Sequence, residues 1–117
     1  MNWPIILTKL SLVCGIPPAN IESIVRVESN YCKYTVSKSS TSVGCMQLIK
    51  ANRNPADDHS NPIVSMLRGV DYLCNLKSRF PKTYMIRYHV GPNGDINSDA
   101  AKEYKRRLNL ENKYFNR

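Results

Sequence analysis

Residues 18–30 read PANIESIVRVESN, and their apolar side chains recur at the spacing of a helix that buries one face. The buried stripe takes positions i, i+3, i+4 and i+7, namely Ile21, Ile24, Val25 and Glu28. The carboxyl group of Glu28 thus occupies a helix position that the pattern predicts to be buried. Glu22 and Arg26, spaced at i, i+4 on the other side, are predicted to form an ion pair facing solvent.

The rest of the chain continues the helical spacing, and no long alternating run indicates a substantial sheet. Further helices are predicted from Pro4 to Gly15, from Asn61 to Pro81, around residues 84–90 and over residues 98–108. The long helix is expected to present one apolar surface from Ile63 through Leu67 to Leu76. The stretch 33–44, rich in Ser, Thr and Lys, predicts a loop or a small hairpin. The fold class expected is mainly α.

The length of the chain favours a single domain. With 117 residues, 42% of them hydrophobic, it can bury one core and is too short for two ordinary domains, so residues 1–117 are expected to fold as one unit. No apolar run reaches the roughly 18 to 20 residues of a membrane-spanning helix. The first residues lack the basic start and small-residue cleavage site of a signal peptide, so export is expected to use another route.

The net charge of +8 would attract a polyanion, whether nucleic acid, an acidic membrane surface or a bacterial wall. Charge alone does not distinguish these partners. Much of the excess lies near the end of the chain, at Lys102, Lys105, Arg106, Arg107, Lys113 and Arg117. A solvated helix face and tail would explain the same residues without any partner.

The four cysteines, Cys14, Cys32, Cys45 and Cys74, form no CxxC pair, and neither histidine stands at a spacing that would complete a zinc site. Neither a metal nor a cofactor is expected. Two disulfides in any of three connectivities would suit an enzyme that works outside the reducing cytosol. Buried free thiols fit the sequence equally well.

Glu28 is the candidate for chemistry. A carboxyl group on an apolar helix stripe loses hydration, which disfavours its charged form and raises its pKa. Such a group can donate a proton near neutral pH, as cleavage of a glycosidic bond requires. Periodicity alone also permits a simpler interpretation, in which Glu28 ends the helix and reaches water or a nearby lysine.

Further motifs accompany this glutamate along the chain. In order they are Glu28 and Ser29, Tyr31, Ser37, the run Gly44, Cys45, Met46, Gln47 and Leu48, then Gly69, Tyr72 and Leu73, and the turn Tyr88, His89, Val90, Gly91, Pro92, Asn93 and Gly94. Their order and separations resemble the catalytic domain of the soluble lytic transglycosylases, relatives of goose-type lysozyme. The resemblance covers about residues 16–108, and Glu103, Tyr104 and Leu108 fit the family's closing helix.

The chain departs from the family pattern at a few positions. Cys45 replaces a Leu, His89 replaces the usual Asn, and Thr41 stands where a Gly is common. The loop before Gly44 is also about one residue longer. These departures bear on loop conformation and substrate contacts more than on the identity of the acid.

The resemblance implies a lysozyme-like α+β fold, mainly helical, in which the loop or small hairpin forms one wall of a cleft. It implies that Glu28 is the catalytic acid and then the base. The reaction implied cleaves the β-1,4 bond between N-acetylmuramic acid and N-acetylglucosamine in peptidoglycan and leaves a 1,6-anhydromuramic acid end.

The resemblance also implies substrate-binding residues around that carboxyl. Ser37 would hydrogen-bond near the reacting sugar, and Gln47 would hold the substrate amide or order the cleft wall. Met46 would pack beneath Gln47, although plain core packing explains this methionine better. Tyr88 would place its hydroxyl close to the catalytic carboxyl and orient it. His89 would also line the substrate site, although a turn or surface position is the simpler explanation of this residue.

Two other functions remain open from the sequence. A true lysozyme would use a second acid to activate water, and Asp57 and Asp58 are the acids available in the middle of the chain. Their polar neighbourhood predicts that both are exposed. A basic helical module that binds nucleic acid or a peptide without catalysis would explain the closing cluster of Lys and Arg, but no recognition motif accompanies it.

The cellular setting follows from the same resemblance. The partner expected is the glycan strands of peptidoglycan, with no specific nucleic acid, no membrane span and a monomeric protein. Action in the periplasm or the cell wall is expected. The chain would arrive there as a virion-associated bacteriophage enzyme, or by an unseen export route as a wall-piercing factor of a secretion system.

Overall fold

Five α-helices dominate the residues, 1–116, that the computed structural model describes. They are α1 (Trp3–Ser11), α2 (Pro18–Ser29), α3 (Pro62–Arg79), α4 (Tyr84–Val90) and α5 (Asp99–Leu108), with a short 3-10 turn at Lys50–Asn52. Extended structure in this part of the chain is limited to two antiparallel bridges, which pair Val43 with Val36 and with Leu48. The prediction of a mainly α fold with a small hairpin-like element is confirmed.

The helices begin where the sequence provides caps. Side-chain oxygens of Asn2, Asn61 and Ser98 accept backbone N–H groups in the first turns of α1, α3 and α5. A proline also stands in the first turn of α1 and of α3, where its missing N–H costs nothing. These local signals explain why the helix starts could be located from the sequence.

The core forms around α2 and α3. The stripe Ile21, Ile24 and Val25 is fully buried, and so are Val70, Leu73 and Leu76 of α3. The apolar surface predicted for α3 is only partly buried in its first half, where Met66 is fully buried but Ile63 and Leu67 remain 45% and 46% exposed. These two side chains border an open hollow shared with Ile6 and Leu10 of α1, which leaves them partly open to solvent.

The outer face of α2 contradicts the predicted surface ion pair. Glu22 is completely buried, and its carboxylate accepts the Tyr31 hydroxyl at 2.6 Å. The same carboxylate accepts the backbone N–H groups of Lys113, Tyr114 and Phe115. Arg26 donates instead to Asn112 and to backbone carbonyls in the last turn of α5 and just after it. The C-terminal segment folds back across α2, and helical spacing alone does not reveal such a cover.

Both pairs of cysteines form disulfides. Cys14 bonds Cys74 and joins the chain after α1 to the middle of α3. Cys32 bonds Cys45 and joins the chain after α2 to the turn between the paired residues Val43 and Leu48. No free cysteine remains among the described residues, so the alternative of free thiols is wrong.

The basic residues near the end of the chain are only partly available to a partner. Arg106 pairs with Glu103 at 2.6 Å, and Arg107 donates to the Val27 carbonyl. Lys102 and Lys105 are exposed on α5, whereas Arg117 lies outside the described residues. None of the helices described in residues 1–116 combines the length and the apolar character that crossing a bilayer demands.

Candidate active site

The chain reverses sharply just after Glu28, near the end of α2. Asn30, Tyr31 and Cys32 all adopt left-handed backbone conformations, with φ of 48°, 59° and 68°. Such conformations cost about 1 to 3 kcal/mol each for residues other than glycine, so surrounding contacts must hold them. The Cys32 disulfide supplies one of these contacts, and the ring of Tyr31 packs edge-on against Trp3 and Tyr114.

Ser29 links this reversal to the segment 44–48, here called the wall. Its hydroxyl donates to the Cys45 carbonyl at 2.7 Å and accepts the Cys32 N–H at 2.9 Å. The end of α2 is therefore joined to residue 45 both covalently and by a buried hydrogen bond. These two links fix the end of α2, the helix that carries Glu28, to the segment that contains Cys45.

The carboxyl of Glu28 has the electrostatics that the helical pattern predicts. Burial raises its pKa from 4.5 to about 7. The Tyr104 hydroxyl donates to Oε2 at 3.2 Å, and the positive charge of Arg107 lies nearby; both lower the pKa and limit the rise. Near neutral pH, Glu28 therefore divides between its protonated and ionised forms.

The tyrosine that bonds Glu28 is not the one predicted. Tyr88 is buried, and its hydroxyl donates to the Met46 carbonyl at 2.5 Å. Burial and the nearby charge of Glu28 raise the pKa of Tyr88 well above its usual range. The predicted orienting hydrogen bond therefore comes from Tyr104 on α5. Tyr104 was predicted only to belong to the closing helix, and that position was the signal available in the sequence.

Close contacts between the wall and α3 explain why residues 44 and 69 are glycines. A Cβ on Gly44 would lie 2.0 Å from the Ser65 Oγ, which accepts the Cys45 N–H. A Cβ on Gly69 would lie 2.6 Å from the Met46 Cβ. Both approaches seat the segment 44–48 directly on α3. Met46 is fully buried, in keeping with core packing.

Gln47 and Ser37 have their hydrogen bonds within the wall itself. The amide nitrogen of Gln47 donates to the carbonyls of Thr35 and Gly44 at 3.1 and 2.9 Å, so this side chain orders the wall. The Ser37 hydroxyl accepts from its own loop, from the Ser39 N–H and the Ser40 hydroxyl. In the part of the chain that the structure describes, no hydrogen bond joins Ser37 to Glu28.

A groove of about 140 Å³ runs along this wall and the turn after α4. Its lining includes Gln47, Leu48, Tyr72, Tyr88, His89 and Gly91. The exposed ring of His89 stacks on Tyr104 with centroids 4.6 Å apart. Burial and the charge of Arg107 lower the pKa of His89, which favours a neutral imidazole. His89 thus connects the groove, through Tyr104, to the carboxyl of Glu28.

Asp57 and Asp58 differ from each other more than the sequence suggested. Asp58 is exposed as predicted, and its hydrogen bonds with Ser60 lower its pKa. The side chain of Asp57 is only 14% exposed and lies 2.5 Å from the Nε of Arg68, so the prediction of exposure is wrong for this residue. The polar groups that act on Glu28 are Tyr104 and Arg107, and neither is a second acid.

The class of protein is defined by a helical fold that holds a glutamate with a pKa of about 7, whose charge acts on Tyr88 in the lining of the groove. The family model described as the Transglycosylase SLT domain matches residues 8–113, so the chain belongs to this family. The resemblance noted in the motifs is thereby confirmed. Domains of this family act on peptidoglycan outside the cytoplasm, with lytic transglycosylase activity. Comparison with curated proteins and with solved structures gave no match.

Proposed function

We propose that this chain is a peptidoglycan lytic transglycosylase in which Glu28 is the catalytic acid and base. The reaction cleaves the β-1,4 bond between N-acetylmuramic acid and N-acetylglucosamine and leaves a 1,6-anhydromuramic acid end. The observation that carries the proposal is the Glu28 carboxyl, whose pKa burial raises to about 7 and whose charge acts on Tyr88, a residue that lines the groove. A general acid works best when its pKa lies near the operating pH.

In the first step, protonated Glu28 gives its proton to the oxygen that links the two sugars. The bond between that oxygen and C1 of the muramic acid breaks, and the N-acetylglucosamine side leaves as an alcohol. The 2-acetamido group of the muramic acid stabilises the positive charge that develops at C1. Substrate-assisted routes of this kind need no second carboxylate.

In the second step, ionised Glu28 removes the proton of the muramic acid 6-hydroxyl as that oxygen attacks C1. The new C1–O6 bond closes the anhydro ring, and Glu28 regains the proton that it lost. Tyr104 and Arg107 favour this ionised state, because both lower the Glu28 pKa. The balance of burial against these two groups therefore supports both halves of the cycle near neutral pH.

The remaining site residues have supporting roles in this proposal. Ser37 contacts the reacting sugar from its loop, and Gln47 holds the wall or the substrate amide. Met46 forms the base of the wall, where Tyr88 binds its carbonyl. Tyr88 and His89 line the groove that receives the glycan.

The products of wall digestion test the proposal. Purified peptidoglycan treated with the protein should release anhydro-muropeptides, which mass spectrometry distinguishes from reducing ends. Glu28→Gln should lower the release by at least about a hundredfold, because general acid and base catalysis contributes about 10² to 10⁴. Glu103→Gln is the matched control, since it removes an exposed carboxylate at the surface of α5.

The other functions predict different results in the same experiment. A hydrolytic lysozyme would yield reducing ends alone and would depend on Asp57, although Arg68 already engages that carboxylate. A binding module without catalysis would release no muropeptides, either as wild type or as Glu28→Gln.

We propose that the protein acts as a monomer in the periplasm or the cell wall, associated with a bacteriophage virion or exported. The two disulfides support an oxidising compartment. Sedimentation velocity of the purified protein tests the monomer. Immunodetection in purified virions and in periplasmic fractions tests the two locations.

A further inference from the structure

The last turn of α4 brings a ring that lines the groove against the tyrosine that bonds the acid. The imidazole of His89 stacks on the phenol of Tyr104, with ring centroids 4.6 Å apart and ring planes 10° apart. This distance lies at the close end of the range for aromatic pairs. Tyr104 is buried, and its hydroxyl donates to Glu28. One stacked pair therefore joins the lining of the groove to the hydrogen bond on the acid.

The hydrogen bond from Tyr104 to Glu28 depends on where the phenol ring lies. Its length is 3.2 Å, whereas hydrogen bonds between two oxygens usually measure about 2.5 to 3.0 Å. Because this bond is already long, a small displacement of the ring would remove most of it. Burial and the charge of Glu28 hold the pKa of Tyr104 well above its usual range, so the hydroxyl stays a donor. The position of the Tyr104 ring, and not its ionisation, thus decides whether Glu28 receives the bond.

The imidazole of His89 holds one face of that phenol ring. The two residues belong to different helices, α4 and α5, so the stack fixes the ring across the helix boundary. A side chain without a ring at position 89 would leave this face open toward the groove. A buried group that loses its neighbours on one side also loses their dispersion contacts, which favours movement into the space.

His89 carries no charge of its own near neutral pH. Burial and the charge of Arg107 lower its pKa, so the imidazole is neutral when Glu28 titrates. Burial raises the pKa of Tyr88 and of Tyr72, which lie on the other side of the groove lining, so both are neutral as well. The charge that acts on the acid is that of Arg107. His89 therefore influences the acid through the ring on which it stacks.

We propose that His89 is a positioning residue, whose ring keeps the Tyr104 hydroxyl on the Glu28 carboxyl. The inference rests on the proposed function, because it concerns the group that donates and then removes the proton. Position 89 is one of those at which the chain departs from the family pattern, where Asn is usual. An asparagine has no ring to stack on the phenol, so this way of holding Tyr104 belongs to the histidine of this chain.

The first test measures the Glu28 pKa without catalysis. Proteins labelled with ¹³C at the glutamate carboxyls are titrated by NMR, and Glu28→Gln assigns the signal. Wild type should titrate at about 7, and His89→Ala should titrate closer to 8, because a hydrogen bond to a charged group corresponds to about one pKa unit. His89→Phe keeps a ring for stacking and should titrate as wild type does. His89 is exposed, so both variants should fold.

A double variant shows whether His89 acts through Tyr104. Tyr104→Phe removes the hydroxyl, so adding His89→Ala to it should raise the Glu28 pKa no further. Independent effects would add instead. A further rise in the double variant overturns the inference. A His89→Ala titration at or below the wild-type pH overturns it too, and so does a His89→Phe titration that moves as far as that of His89→Ala.

The second test is the pH dependence of kcat/KM for wall cleavage, with each enzyme compared with its own maximum. At pH 8, His89→Ala should retain about five times the wild-type fraction, because about half of its molecules, and not about a tenth, carry the proton. A purely structural loss would lower activity equally at every pH. Ile49→Ala is the matched control, since it removes another exposed side chain of the groove. Its alkaline limb should coincide with that of wild type, and an unmoved limb in His89→Ala overturns the inference.

The titration and the cleavage assay distinguish failure of this inference from failure of the proposed function. A Glu28 pKa that depends on a ring at position 89, in a protein that never cleaves wall, would support the positioning role and refute the enzyme. Cleavage to anhydro products, with a Glu28 pKa that is the same in wild type and His89→Ala, would support the enzyme and refute the positioning role.

Discussion

Removal of the Tyr104 hydroxyl gives the sharpest test of how Glu28 works. This hydroxyl donates to the Glu28 carboxylate at 3.2 Å and lowers its pKa. A hydrogen bond to a charged group contributes about 1.5 kcal/mol, which corresponds to about one pKa unit. Tyr104→Phe should therefore raise the Glu28 pKa from about 7 to about 8.

The assay is the pH dependence of kcat/KM for muropeptide release between pH 5 and 9. The first step requires protonated Glu28 in the free enzyme, so the alkaline limb reports its pKa. At pH 8 about a tenth of wild-type molecules should carry the proton, against about half of the Tyr104→Phe molecules. Each enzyme is compared with its own maximum, so a uniform loss of activity does not affect the result.

Tyr84→Phe provides the matched control. The Tyr84 hydroxyl accepts from Asn20 at 3.1 Å and has no contact with Glu28 among the described residues, so the alkaline limb should not move. A carboxyl ¹³C titration of Glu28 checks the assignment directly. An alkaline limb of Tyr104→Phe that coincides with that of wild type, or lies at lower pH, refutes the reasoning.

Three further changes test the packing and charge around the site. Glu28→Gln should raise the free energy of unfolding at pH 8 by on the order of 3 kcal/mol, because the folded protein holds this carboxyl at a pKa of about 7 against 4.5. The folded state binds the extra proton, so the gain arises as pH rises from 4.5 through 7 and is absent near pH 4; urea unfolding at both pH values measures it. Gly69→Ala should lower stability by about 1 to 3 kcal/mol, because its Cβ would lie 2.6 Å from that of Met46, and an unchanged Tm would contradict this packing. Replacing Cys32 and Cys45 together by Ser should cost about 3 kcal/mol for a separation of 13 residues. Wall cleavage at a temperature where this variant remains folded should still fall, because the disulfide holds the cleft wall against α2.

The helices could be predicted because their sequence signals are local. The apolar stripe of α2 and the asparagine and serine caps act within one or two turns, so they can be recognised in the sequence without knowledge of neighbouring elements. The position of Glu28 on that stripe follows from the same short-range pattern. The raised pKa of this carboxyl agrees with it, because a stripe that faces the core also excludes water.

Contacts between distant segments were beyond the reach of that pattern. Glu22 and Arg26 have the spacing of a surface pair, yet Asn112 and the residues after it cover them. The pairing of the four cysteines likewise depends on which segments meet in three dimensions. The spacing of residues along the chain predicts neither the C-terminal cover of α2 nor the pairing of the cysteines.

The wrong prediction of which tyrosine hydrogen-bonds Glu28 has a similar cause. Tyr88 was predicted to orient the Glu28 carboxyl and Tyr104 to belong to the closing helix, and both are buried. Which hydroxyl reaches Glu28 depends on how α4 and α5 sit against α2. Tyr88 instead finds a closer acceptor in the Met46 carbonyl, so α5 supplies the partner of the acid.

The hydrogen bonds from the backbone of residues 113–115 to the Glu22 carboxylate affect the order in which the protein can fold during synthesis. The acceptor and its donors are separated by about 90 positions, and the same helix carries Glu28. During synthesis, α2 is made well before those N–H groups exist, so the Glu22 carboxylate lacks these three donors until residues 113–115 have been added. The packing of the helix that carries Glu28 is therefore complete only after residues 113–115 have been synthesised and have folded back onto it.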